Sequence, residues 1–123
     1  MSNPYAPSPS YKRDLAEAAG TQSLPGQRNM SVESQYEYGS RAGWWRLYRL
    51  FTERRVPVTV YGVTMALARN PDAVASMQEA GFEIACHAMR WIDHGRMPQA
   101  EERARIAAAV ALHTTVTGER PLG

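Results

Sequence analysis

The chain has 123 residues, enough for one modest domain and too few for two. Hydrophobic residues make up 44%, charged residues 21%, and the formal net charge is +2, the balance of an ordinary water-soluble protein, with arginines too scattered to form a nucleic-acid-binding stripe. No apolar run approaches the roughly 20 residues that span a bilayer, the N-terminus lacks the apolar stretch of a secretory signal, and one cysteine cannot form an internal disulfide, so a cytoplasmic location with no membrane partner is expected.

Residues 1–31 are rich in Pro, Ser, Asn and Gly and show little hydrophobic periodicity, which predicts an extended or disordered arm. The remainder, 32–123, reads as one partial α/β domain. From Glu37 to Arg55 the pattern is helical: Trp44, Leu47, Tyr48 and Phe51 share one face, as a core-facing stripe does. Val56 to Val63, "VPVTVYGV", is β-branched and nearly continuous in apolar character, the signature of a strand buried on both faces of a parallel sheet. A helix follows with Asn70 as N-cap, Pro71 at its first position, and Ala73, Met77 and Ala80 inward; Gly81 is placed to end it. "FEIAC", Phe82 to Cys86, predicts a second strand and completes a βαβ unit. The last helix is predicted from Pro98 to about Thr117, with Ile106, Ala109, Val110 and His113 on one face and Gly118 at its end. Two strands with two or three helices do not easily cover both faces of a parallel sheet, so the pattern implies part of a larger α/β fold.

The densest chemistry lies in "FEIACHAMRWIDHG", Phe82 to Gly95, at the C-terminal end of the second strand, where loops of parallel α/β folds converge on one crevice. A metal site needs three or four ligands. The position four residues beyond His87 is Trp91, whose indole ligates no metal, and Cys86 and His87, being adjacent on a strand, point to opposite faces. The same geometry counts against Cys86 as a nucleophile activated by His87 and favours a buried, inert thiol. His87 itself, opening a loop, is the candidate general acid or base, or the donor to a developing oxyanion; the plainer alternative is a histidine satisfied by the backbone. His94 and His113 read as structural or surface residues.

"VPVTVYGVTMALARNPDAVASMQEAGFEIACHAMRWID", with "ESQYEYGSRAGWWRLYRLF" before it and "LHTTVTGERPLG" after it, resembles the polysaccharide deacetylase superfamily, and within it the bacterial, metal-independent allantoinases; "YKRDL" resembles that family's opening segment. The resemblance implies a partial (β/α) barrel and hydrolysis of a non-peptide, cyclic amide C–N bond, from allantoin to allantoate, with a small cyclic amide as partner and no cofactor. Metal-dependent members carry a histidine pair spaced H-x-x-x-H; His87 matches the first, and Trp91 stands at the second, as in the allantoinase branch. The resemblance thus makes His87 catalytic and lets Trp91 line the substrate pocket, with Glu37 and Arg41 as further contacts. It also shows departures. The acidic pair expected after "YKRDL" is missing, with only Glu17 nearby; Cys86 and Ala88 stand where the family more often has Ser and Gly, and His94 where it has Tyr. A chain well under half the family's usual length is expected to be inactive alone. The runner-up functions are a metal-dependent polysaccharide or peptidoglycan deacetylase and a non-catalytic fragment that self-associates or docks on a full-length homologue.

Overall fold

The computed structural model describes residues 30–123. The predicted arm, with "YKRDL" and Glu17, lies outside the described residues except for Met30 and Ser31, which begin the first helix.

Helix α1 (Met30–Tyr38) passes through a π-helical turn (Gly39–Gly43) into α2 (Trp44–Arg54). Tyr38 and Gly43, at the two junctions, keep right-handed helical angles, so the three segments form one continuous rod. Two glycines within five residues favour the wider turn, because glycine is a poor α-helix former and leaves room for the longer hydrogen bond that Trp44 N–H makes to the Gly39 carbonyl. Arg55, in the left-handed region at φ 54°, ends the rod. Of the predicted stripe, Trp44, Tyr48 and Phe51 are partly buried. Leu47 is 48% exposed and is not core.

Strands β1 (Thr59–Gly62) and β2 (Glu83–Cys86) pair in parallel, with Thr59 opposite Glu83 and Gly62 opposite Cys86. The Thr59 hydroxyl donates to the Glu83 carboxylate at 2.7 Å and fixes that register on the exposed side. Hydrogen bonds Glu83 N–H to Val58 O (3.0 Å) and His87 N–H to Gly62 O (2.9 Å) extend the pairing past both ends. On the far edge of β2, Cys86 N–H donates to Gly123 O at 2.8 Å. The expectation of a strand buried on both faces is corrected for β1. Its side chains alternate between open and covered, and Tyr61 is 71% exposed, because among the described residues helices pack on one of its faces.

The crossover holds two helices where the sequence predicts one: α3 (Thr64–Arg69) and α4 (Pro71–Glu79). Asn70 divides them at φ −130° and ψ 69°, since a residue before proline is excluded from the helical region. Its side chain then caps α4 as predicted, accepting from Ala73 N–H at 3.3 Å. At the other end Gly81, at φ 68°, lets Phe82 N–H reach back to Met77 O at 2.9 Å. Helix α5 (Gln99–Thr117) matches its predicted bounds and stops at Gly118, φ 81°. It buries Ala109, His113 and Thr117, while Ile106, predicted inward, is 50% exposed. The core is Leu67, Ala73, Val74 and Met77, with Trp44, Val60, Phe82, Ile84 and Val116 packed around it. No helix of the described residues is long and apolar enough to cross a membrane.

Candidate functional site

β2 delivers His87 to the C-terminal end of the sheet, and the loop that follows is held by its backbone. The first-turn N–H groups of α3 have no side-chain cap, since Val63 stands at the cap position. The loop satisfies them instead: Thr64 N–H donates to Ala88 O (3.0 Å) and Met65 N–H to Met89 O (3.2 Å). Ala88 reaches this geometry at φ 57°, a left-handed conformation unusual for a residue with a Cβ. Cys86 is half-buried and His87 exposed, as the alternation of a strand requires. The Cys86 thiol lies 3.5 Å from the hydroxyl of Thr64.

The His87 side chain is exposed, and its imidazole makes no hydrogen bond among the described residues. Trp91, partly buried, meets Tyr36 of α1 edge-to-face, with centroids 6.5 Å apart at 72°. That contact brings the rod alongside the His87 loop. Glu37 is the next residue on α1, but its carboxylate pairs with Arg41 at 2.9 Å, one helical turn on, and both side chains are largely exposed. Among the described residues, no hydrogen bond or ion pair joins Glu37 or Arg41 to His87 or Trp91. The structure thus puts His87 and Trp91 on one loop, and gives Glu37 and Arg41 each other as partners. Asp93 accepts from Gly95 N–H at 2.8 Å, shaping the turn, and the ring of His94 lies 3.6 Å from Glu102 on α5.

The donor set of the described residues does not by itself fit a resident metal. Among the described residues no three of His, Cys, Asp and Glu come together. Cys86 is turned toward Thr64 and His94 toward Glu102. The third histidine, His113, is 1% exposed, inside rather than on the surface. Among the described residues its Nδ1 has no hydrogen-bond partner, and burial pushes its pKa below the usual histidine value, partly opposed by a hydrogen bond with the Ile84 backbone. It borders a cleft of about 350 Å³, together with Phe82, Ile84, Thr117, Arg120 and Leu122. That cleft flanks the beginning of β2, whereas His87 follows its end. Two residues near the candidate site carry little sequence signal. Thr64 is marked only as a polar residue at a strand-to-helix junction, and Tyr36 by nothing.

The model of the polysaccharide deacetylase family matches residues 26–122. The chain belongs to the polysaccharide deacetylase family. A protein of Schizosaccharomyces pombe assigned by name to the polysaccharide deacetylases is 39% identical over 94 residues, 75% of this chain and 29% of that one. Among solved structures, a probable polysaccharide deacetylase of Pseudomonas aeruginosa and the PuuE allantoinase are each 50% identical with a TM-score of 0.81, over 89% of this chain and 36% of theirs. A Mycobacterium smegmatis structure in the same family is 25% identical, TM-score 0.69, over 89% of this chain and 35% of the other. The mixed α/β fold with its small parallel sheet is therefore that of the polysaccharide deacetylases. The chain spans about a third of the length of these relatives.

Proposed function

We propose that this polysaccharide deacetylase-family chain supplies one wall of an allantoinase-like active site, which opens a cyclic amide at a non-peptide C–N bond. The observation that carries the reading is the 50% identity to the PuuE allantoinase over 89% of this chain. Trp91 supports it, since an indole four residues after His87 suits a pocket wall and not a metal ligand. In the reaction the oxygen of water bonds to the ring carbonyl carbon, the ring C–N bond breaks, and the nitrogen leaves with a proton; allantoin gives allantoate. The open imidazole of His87 is suited to move that proton or to donate to the oxyanion as it forms. Arg41 offers only donors, so it suits the carbonyl oxygens of a urea-like substrate.

The 123-residue chain by itself is expected to be inactive. Among the described residues no carboxylate bonds to His87. The test is allantoin hydrolysis by the chain alone and after mixing with the complementary portion of the Pseudomonas aeruginosa relative. Turnover only in the mixture, unaffected by chelator and lowered by about 100-fold or more in His87→Ala, is the expected result. Allantoate formed by the chain alone would sink the claim of incompleteness. The names of three relatives favour a second reading, a polysaccharide deacetylase, here of the metal-dependent kind. Chelator-sensitive release of acetate from an acetylated glycan would install it instead.

A further inference from the structure

Thr64 is the most completely buried polar residue of the molecule's described part, at 0% exposure, and it stands at the first position of α3. It touches the chain on both sides of His87. Its hydroxyl meets the Cys86 thiol at 3.5 Å, and its N–H donates to Ala88 O at 3.0 Å. His87 itself is tied by one bond, N–H to Gly62 O at 2.9 Å, two residues before Thr64. Among the described residues no hydrogen bond orients the exposed ring, so its place depends on the backbone at residues 86–88. Ala88 is the strained member of that trio, at φ 57°, and a non-glycine residue keeps such an angle only where its surroundings hold it. The bond from Thr64 is the one that holds the Ala88 carbonyl.

We propose that Thr64 is the positioning residue for His87, fixing the backbone on either side of it through its hydroxyl and its N–H. The proposal rests on the reading of His87 as the reacting group and deepens it. Thr64 touches no reactant; it acts through the loop.

Two variants of the whole chain separate this role from general support of the fold. Thr64→Ser keeps both links. Thr64→Pro removes both, yet proline is accepted at a first helical position, and Val63, at φ −64° and ψ 120°, already has the extended backbone that precedes a proline. Amide hydrogen exchange and carbon chemical shifts are measured by NMR. In Thr64→Pro the His87 amide is expected to exchange about tenfold faster, the order expected when a local hydrogen-bonded unit is loosened. Ala88 should also lose its left-handed chemical-shift signature, while Val74 and Met77 in the core keep their protection. Thr64→Ser should match the parent at all of these positions. The proposal is overturned if Thr64→Pro leaves His87 and Ala88 unchanged, if Thr64→Ser behaves like Thr64→Pro, or if protection at Val74 and Met77 falls in step, which would make Thr64 an ordinary support of the core. None of these readouts requires turnover. Persistence of full activity in His87→Ala would defeat the functional reading without touching the exchange data.

Discussion

At the scale of single residues, strain and burial sit at two different places. Ala88 occupies an angle that glycine adopts without cost. Ala88→Gly is therefore expected to stabilise the chain by roughly 0.5–1 kcal/mol, somewhat less than the left-handed penalty because glycine loses more freedom on folding. The urea midpoint should rise, and a fall would show that the methyl group is held by contacts that outweigh the strain. His113 is the buried titratable group. Its pKa in the folded chain lies below the ordinary value, so the unfolded chain binds the proton more readily. The stability that neutral His113 contributes is complete above about pH 6.5 and declines as the pH falls toward its folded value. Urea unfolding at pH 7.5 and pH 5 should show that decline in the parent and a smaller one in His113→Gln. Equal slopes in both would place the pH dependence elsewhere.

At the scale of elements, the packing of β1 on α3 is tight at one point. A Cβ added at Gly62 would come within 2.6 Å of Leu67 Cδ1, so Leu67, only 5% exposed, would have to move within the core. Gly62→Ala is expected to cost about 1–3 kcal/mol. Combined with Leu67→Val it should cost less than the sum of the two single changes, because the smaller side chain leaves space for the new methyl. Strict additivity in unfolding measurements would refute that coupling. The Asn70 cap is the other local determinant, and Asn70→Ala should lower stability by about 1 kcal/mol. It is also where the sequence was easiest to read. Asn70, Pro71, Gly81 and Gly118 act through their own backbone preferences, so the ends of α4 and α5 follow from the residues that occupy them. Helix α3 carries no such mark. Val63 is a poor cap, and the helix begins because carbonyls from a loop more than 20 residues later accept its N–H groups. A pairing of that range leaves no local trace. The same limit applies to the candidate site. His87 was legible from its place after a strand, and the Tyr36–Trp91 contact was not, because it is made by tertiary approach.

At the scale of the molecule, one rod ties the halves together. It carries Tyr36, which meets Trp91 beside the candidate site, and Trp44, whose indole N–H donates to Ser76 Oγ at 3.0 Å and whose ring meets Phe82. Because α1 and α2 run on through the π-helical turn, the two tryptophan environments belong to one body. Urea unfolding followed by circular dichroism and by tryptophan fluorescence should therefore give coincident transitions, with the same midpoint when Trp91 alone reports, in the double variant Trp44→Phe with Trp45→Phe, and when Trp44 and Trp45 report, in Trp91→Phe. An earlier change at Trp91 would mean that the loop melts on its own. Burial shows where sequence pattern misleads at this scale. The apolar run of β1 reads as a strand covered on both faces, but Tyr61 stays open because coverage is decided by what packs nearby and not by the strand.

The loop after β2 is kept in place by carbonyl groups, which every amino acid possesses. The bonds at residues 88 and 89 do not depend on which side chains those residues carry, so the identity of those two residues can change while the path of the chain is kept. In this arrangement the fold conserves the address, and evolution is free to change the occupant.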